Sequence, residues 1–264
     1  MSKQRRYNIR ISRAVIPNFF TILNMFSGFL SILSTTDRDF VSAAWLIILA
    51  AIFDSLDGVM ARLTRSSSEF GVELDSLSDL VSFGVAPSFL IYMLGLRAMG
   101  PLGTLSSAML MVFGGLRLAR FNVQLVGFDK DYFKGLPIPS AAITVSSFVL
   151  LFLDRNLKSL TADAAPFLIV LAVSLSLLMV STVRYDTMPK LSRRGIRAHP
   201  LKASVFIVSL TLIVVTIGKA LFWLFLLYIL GGIVRWIIEH IKSLVHSRKG
   251  REEEEDVEFS SFDI

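Results

Sequence analysis

Residues 40–62 form the sequence FVSAAWLIILAAIFDSLDGVMAR, an apolar run that ends in two aspartates, a glycine and an arginine. The run is long enough to cross about 30 Å of hydrocarbon as a helix. Comparable runs fill most of the chain. They predict spans at approximately 15–35, 41–62, 71–96, 101–120, 137–153, 165–183, 202–217 and 219–240. The fold class we expect is all-α and integral to the membrane, a polytopic bundle of about eight transmembrane helices.

The composition and the charge distribution agree with a membrane protein. Of the 264 residues, 53% are hydrophobic and 18% are charged, and there is no cysteine. Soluble domains carry about 25% charged residues. The absence of cysteine excludes a disulfide framework and a thiolate metal site. The net charge of +6 does not indicate nucleic-acid binding, because most Lys and Arg residues fall on one side of the predicted spans.

That side is the cytoplasm by the positive-inside rule, which puts both termini there. We expect a basic interfacial segment at 1–14, a membrane catalytic domain at 15–240 and a disordered cytoplasmic tail at 241–264. Only Gly218 and Lys219 separate the last two spans, which could instead form a re-entrant hairpin. The short loops and the lack of a targeting peptide favour a prokaryotic cytoplasmic membrane.

Four aspartates lie at the inner ends of the second and third spans. Asp54 and Asp57 are three residues apart, and Asp75 and Asp79 are four apart, so each pair shares one helix face. The short connection makes the two spans antiparallel neighbours, and their carboxylates can therefore converge. Because ionisable groups inside a bilayer are costly, such a cluster predicts a functional site.

Converging carboxylates repel one another unless a cation or protons relieve the repulsion. Ligand sets made of oxygen alone suit Mg²⁺ or Mn²⁺. Two such ions about 4 Å apart can hold the attacking and leaving oxygens of a phosphoryl displacement. Gly58 and Ala61 permit close approach to the backbone, and the Arg62 guanidinium matches phosphate oxygens. Alternatively, Gly58 and Ala61 serve helix packing and Arg62 is a charge anchor.

The pattern Asp54-x2-Asp57-Gly58-x2-Ala61-Arg62-x8-Gly71-x3-Asp75-x3-Asp79 resembles the complete signature of the CDP-alcohol phosphotransferase family. Other stretches resemble the phosphatidylserine synthase branch of that family. They are Ile16 to Gly28, Ser68 to Leu77, Val81 to Pro87, Arg117 to Asn122 and Phe133 to Pro137. The resemblance covers roughly residues 14–190.

The resemblance implies transfer of the phosphatidyl group of CDP-diacylglycerol to the hydroxyl of L-serine, with release of CMP. It implies that Asp54, Asp57 and Asp75 bind metal, and that Asp79 completes a second metal site and is the catalytic base. The expected CDP-diacylglycerol contacts are Pro17, Asn18, Phe19, Phe20, Thr21, Gly58, Ala61, Arg62, Ser68 and Gly71. It further implies a homodimer in which a six-helix catalytic core surrounds a polar cavity open to the cytoplasm.

Two sets of polar residues have alternative interpretations. Arg117, Arg120 and Asn122 are candidates for binding serine, whose carboxylate needs a cation, but both arginines could be charge anchors at the end of the fourth span. Thr21 and Asn24 lie on the same face of the first span as Asn18. Such a face also serves as polar contact between membrane helices.

Other functions are compatible with part of the pattern. Within the family, the acceptor could be glycerol 3-phosphate or inositol phosphate, whose phosphate Arg184, Arg193, Arg194 and Arg197 could bind. A divalent-cation transporter is disfavoured, because transport sites lie near the bilayer midplane whereas these carboxylates lie in the inner half.

Overall fold

The computed structural model describes residues 15–64, 68–125, 133–154, 159–160, 167–185 and 219–261. Its helices are α1 Val15–Thr36, α2 Phe40–Thr64, α3 Glu69–Asp79, α4 Ala86–Leu94, α5 Gly100–Leu125, α6 Ile138–Phe152, α7 Phe167–Val180 and α8 Lys219–Ser261. Among the described residues, five helical segments are long and apolar enough to cross a membrane: Val15–Thr36, Phe40–Thr64, Glu69–Leu94, Leu96–Val123 and Ala220–Lys242. The structure confirms the predicted all-α membrane protein.

Two of the predicted spans correspond to helices that are shorter than predicted. Helices α6 and α7 have 15 and 14 residues, so each rises only about 22 Å, less than the hydrocarbon thickness. The predicted span at 202–217 and the segment at 1–14 lie outside the described residues. The count of eight spans and the six-helix core therefore stay predictions.

The C-terminal tail differs from the prediction of disorder at 241–264, because α8 continues to Ser261. Residues 247–256 are mostly Arg, Lys and Glu, which have high helix propensity. A helix that has already formed in the membrane segment adds further turns without a new nucleation step. The local propensity therefore outweighs the repulsion within the acidic run that suggested a solvated coil.

The third span is one continuous helical segment with a wider middle. A π-helix, Leu80–Val85, joins α3 to α4, and the Ala86 N–H bonds to the Val81 carbonyl five residues back. Pro87 explains the change, since it has no N–H and its ring clashes with the carbonyl four residues earlier. The widening begins directly after Asp79, at the depth of the carboxylate cluster.

Helix α1 has its polar face inward. It packs against α2, α3, α4 and the π-helix. Its buried residues are Pro17, Thr21, Asn24, Ser27, Gly28, Ser31 and Thr35. Its exposed large residues include Phe19, Ile22, Phe26, Phe29 and Leu33. The apolar side therefore suits lipid, and the polar side faces the carboxylate helices.

Two small strand pairs tie the helix ends together. Strand β1, Phe133–Lys134, pairs antiparallel with β4, Arg184–Tyr185, and β2, Leu153–Asp154, pairs with β3, Ser159–Leu160. Gly135 follows β1 with φ of 85°, a backbone conformation that favours glycine. Its N–H bonds to the Val183 carbonyl at 2.8 Å. The connection before α6 is thus held to the segment after α7, at the end of the bundle where α5 finishes.

Candidate metal centre

The structure brings the four aspartates together from α2 and α3. Asp54, Asp57 and Asp75 each offer one carboxylate oxygen, and these three oxygens lie within 4.8 Å of one another. The Asp79 carboxyl lies one turn further along α3, within hydrogen-bonding reach of Asp54. Few residues connect α2 to α3, and this short connection together with the three- and four-residue spacings produces the convergence.

The centre is largely enclosed by protein. Asp57 and Asp79 are 7% and 8% exposed, and the buried Oδ1 of Asp75 has no hydrogen-bond partner among the described residues. Within the same residues, no Lys or Arg forms a salt bridge with these carboxylates. Buried carboxylates with too few cations and an orphaned oxygen fit a divalent metal, because Mg²⁺ and Mn²⁺ bind through carboxylate oxygens.

Helix α1 supplies a hydrogen-bond donor to each of the two more buried carboxylates. The Thr21 hydroxyl donates to Asp57 Oδ2 at 3.0 Å. One turn along, the Asn24 amide donates through Nδ2 to Asp79 Oδ1 at 3.2 Å. Each bond fixes one oxygen of its carboxylate. Neighbours of this kind orient metal ligands and catalytic groups.

The third span bonds back to α1 at the same two positions. The Ser78 hydroxyl donates to the Thr21 carbonyl at 2.9 Å, and the Ser82 hydroxyl donates to the Asn24 carbonyl at 2.8 Å. Gly28 allows this close approach, since a Cβ there would lie 2.7 Å from Ser82 Cα. The α1 donors are therefore held in place by backbone contacts to the helix that carries Asp79.

The predicted CDP-diacylglycerol residues lie on the first turns of α1, the last turns of α2 and the start of α3. Ser68 caps α3, and its hydroxyl accepts a hydrogen bond from the Gly71 N–H at 3.0 Å. The Asn18 amide oxygen lies 3.3 Å from where a Cβ of residue 71 would be. The start of α3 and the first turn of α1 thus meet closely at Gly71, and a larger side chain there would press against Ser68 and Asn18.

The remaining members of that set lie on the first turns of α1 and the last turns of α2. Arg62 is exposed, and its Nη1 lies 3.7 Å from the Cβ position of Gly58. Ala61 is partly buried beside it. On α1, Pro17 is buried, Phe19 is 56% exposed, and the Phe19 and Phe20 rings meet edge to face at 5.9 Å. Arg62 has a free surface for an anionic group, and Phe19 faces outward.

The three candidate serine-binding residues occupy different positions. Arg117 is 7% exposed, its Nε has no partner among the described residues, and it interacts electrostatically with Asp79. In contrast, Arg120 Nη1 donates to the Val180 carbonyl at 3.1 Å, and Asn122 Nδ2 donates to the Ser76 hydroxyl at 2.9 Å. Of the three, Arg117 is the buried cation. The other two join helices.

Nothing in the residue pattern pairs Asn24 with Asp79 in particular. The regular spacing of Asn18, Thr21 and Asn24 indicates a polar helix face. The spacing does not indicate which carboxylate each of these side chains contacts. The signal is the combination of that face with small or hydroxyl residues at Gly28 and Ser82, which let α1 approach the third span closely.

Comparison with known proteins gives the family. The family model for CDP-alcohol phosphatidyltransferase matches residues 14–178. A Helicobacter pylori (strain J99) protein named CDP-diacylglycerol–serine O-phosphatidyltransferase is 38% identical over 236 residues, 89% of this chain and 96% of the relative. A Methanocaldococcus jannaschii protein of the same name is 36% identical over 222 residues, 84% of this chain and 94% of the relative.

A relative with a different lipid in its name also matches. The archaetidylserine synthase of Methanothermobacter thermautotrophicus is 42% identical over 172 residues, 64% of this chain and 69% of the relative. The matched residues 14–178 include all four aspartates, the α1 donors and Arg117. The chain belongs to the CDP-alcohol phosphatidyltransferase family.

Proposed function

We propose that this protein transfers the phosphatidyl group of CDP-diacylglycerol to L-serine and releases CMP and phosphatidylserine. The observation that carries the proposal is the convergence of four carboxylates, with three of their oxygens within 4.8 Å of one another. The names of the Helicobacter pylori and Methanocaldococcus jannaschii relatives support the choice of CDP-diacylglycerol and serine.

The carboxylates fit two divalent ions, Mg²⁺ or Mn²⁺. Asp54, Asp57 and Asp75 would hold one ion, and Asp79 would complete the second site. When bound, such ions neutralise the diphosphate and stabilise the charge on the departing phosphate. Thr21 orients Asp57 for this role, since its hydroxyl occupies Asp57 Oδ2.

Asp79 is the proposed general base. Its Oδ1 is held by Asn24, so its Oδ2 is the oxygen that accepts the proton of the serine hydroxyl. The hydroxyl oxygen attacks the phosphorus that carries diacylglycerol, the bond from that phosphorus to the CMP phosphate oxygen breaks, and CMP leaves. A free alcohol is a weak nucleophile at neutral pH, so a base within hydrogen-bond reach is needed.

The proposed site for the CDP headgroup is formed by the first turns of α1, the last turns of α2 and the start of α3. Arg62 is exposed beside Gly58, where its guanidinium can bind phosphate oxygens while the small residue admits the diphosphate. The full set of proposed contacts is Pro17, Asn18, Phe19, Phe20, Thr21, Gly58, Ala61, Arg62, Ser68 and Gly71. The first turn of α1 and the start of α3 meet here, so both can line the nucleotide.

Arg117 is the proposed partner of the serine carboxylate, because it is a buried guanidinium close to Asp79 with an unpaired Nε. Arg120 and Asn122 support the position of Arg117, because they hold α5 against α7 and α3 through Val180 and Ser76.

We place the protein in a prokaryotic cytoplasmic membrane as a homodimer, with the carboxylates and both termini on the cytoplasmic side.

The test is an acceptor comparison with the purified protein, CDP-diacylglycerol and Mn²⁺ or Mg²⁺. CMP release that depends on serine, together with labelled serine in the lipid product, is the expected result. CMP release with glycerol 3-phosphate or inositol phosphate, and none with serine, would contradict the serine assignment and retain the family chemistry.

A further inference from the structure

Asn24 has a polar atom that the fold does not use. The residue is fully buried on α1, and its Nδ2 donates to Asp79 Oδ1 at 3.2 Å. Its Oδ1 is buried and has no hydrogen-bond partner among the described residues. Its main-chain carbonyl accepts from the Ser82 hydroxyl, so the backbone at this position is fixed against the third span.

The chemistry of the contact fixes which end of the amide is free. With the amide reversed, a carbonyl oxygen would face a carboxylate oxygen, and neither carries a hydrogen to share. The amide nitrogen therefore faces Asp79, and Oδ1 is the unpaired atom. Oxygen and nitrogen are bonded to the same carbon, so Oδ1 also lies beside Asp79. A buried acceptor without a donor is unfavourable and needs an explanation.

We propose that Asn24 selects the acceptor alcohol, with Nδ2 holding Asp79 and Oδ1 accepting a hydrogen bond from the ammonium group of the incoming amino alcohol. This rests on the proposed transfer to serine. In serine the hydroxyl and the ammonium are on adjacent carbons, so their two acceptors must also be neighbours. Asp79 and Asn24 are neighbours of this kind, and Arg117, which interacts electrostatically with Asp79, would bind the carboxylate.

The test compares L-serine with 3-hydroxypropionate, which keeps the hydroxyl and the carboxylate and has hydrogen in place of the ammonium. Asn24→Leu preserves the volume of the side chain and removes both polar atoms. We expect kcat to fall with both alcohols, because Asp79 loses its donor. We also expect the ratio of kcat/KM for serine over 3-hydroxypropionate to fall roughly 10- to 100-fold, the effect of one hydrogen bond to a charged group.

Ser27→Ala is the matched control on α1. Ser27 is buried, but its hydroxyl donates to the Leu23 carbonyl of its own helix at 2.8 Å, so rates and preference should match the wild type. Asn24→Ala is the second variant in case the leucine impairs folding. Its ratio of kcat/KM for serine over 3-hydroxypropionate is compared with that of the wild type. Each Asn24 variant is first shown to be monodisperse and to have an unchanged KM for CDP-diacylglycerol.

Two results would overturn the proposal while leaving the proposed function in place. One is an equal fall with both alcohols, which would make Asn24 only a support for Asp79. The other is an unchanged preference with a higher Mn²⁺ concentration for half-maximal rate, which would make Oδ1 a metal ligand. A wild-type protein that uses only a phosphorylated alcohol would overturn the serine assignment and this proposal together.

Discussion

Single hydrogen bonds orient the carboxylates of Asp57 and Asp79. Asp57 and Asp79 are acidic side chains in the most buried part of the centre, and each receives one donor from α1. A donor on one oxygen leaves the other oxygen of that carboxylate for a metal or a proton. The chemistry proposed for α2 and α3 therefore depends on residues of a third helix that has no acidic group of its own in this region.

Thr21→Val tests this dependence at Asp57. The substitution keeps the shape of the side chain and removes the hydroxyl that donates to Asp57 Oδ2. Loss of such a supporting contact typically costs 10- to 100-fold in metal affinity or activity. We expect the Mn²⁺ concentration for half-maximal CMP release to rise by roughly that factor.

Thr35→Val is the control, since Thr35 is buried near the opposite end of α1 and donates to the Ser31 carbonyl of the same helix. Its metal dependence should match the wild type. Equal metal dependence of Thr21→Val and Thr35→Val would show that Asp57 does not need the Thr21 hydroxyl.

Close packing between α1 and the third span, and one irregular helix in that span, position the donors and the carboxylates. The π-helix Leu80–Val85 lies next to Gly28 of α1, and Ser82 on it bonds to α1. The short turn and the residue spacing of α2 and α3 predicted the convergence of the aspartates. The Asn24–Asp79 bond and the bond from Arg120 to Val180 depend on tertiary contacts over 55 and 60 positions, which local periodicity does not encode.

Gly28→Ala tests the close contact between α1 and the third span. The added methyl group would lie 2.7 Å from Ser82 Cα, which is backbone and cannot move aside like a flexible side chain. Overpacking of this kind typically costs about 1–3 kcal/mol. We expect a lower thermal unfolding midpoint in detergent and slower CMP release, because the α1 donors would shift away from Asp57 and Asp79.

Gly231→Ala is the matched control on α8, where nothing lies within 4 Å of the added methyl group. It should leave the rate unchanged and should not lower the unfolding midpoint, because alanine has a higher helix propensity than glycine. If Gly28→Ala behaves like Gly231→Ala, the contact between α1 and the π-helix does not support the centre.

The whole molecule is an apolar bundle with its carboxylates at one end. The start of α3 and the end of α2 lie at that end, whereas the turn after α1 and the segment before α5 lie at the other. The charge pattern predicts that the carboxylate end faces the cytoplasm. Exposed residues at the two ends are Ser68 on one side and Asp37 and Met99 on the other.

Single cysteines test this orientation, because the chain has none of its own. In intact cells, a membrane-impermeant maleimide should label Asp37→Cys and Met99→Cys. It should label Ser68→Cys only after the cells are permeabilised. Labelling of Ser68→Cys in intact cells, with Asp37→Cys protected, would reverse the proposed orientation.

The most direct measurement of the central claim compares Asp79→Asn with Glu73→Gln in purified protein supplied with CDP-diacylglycerol, serine and Mn²⁺. Both changes neutralise an acid on α3, but Glu73 is exposed and Asp79 is buried in the centre. A general base contributes about 10²- to 10⁴-fold, so serine-dependent CMP release should fall by that factor in Asp79→Asn and stay at the wild-type rate in Glu73→Gln. Wild-type turnover in Asp79→Asn would contradict the claim that the converging carboxylates carry out the transfer.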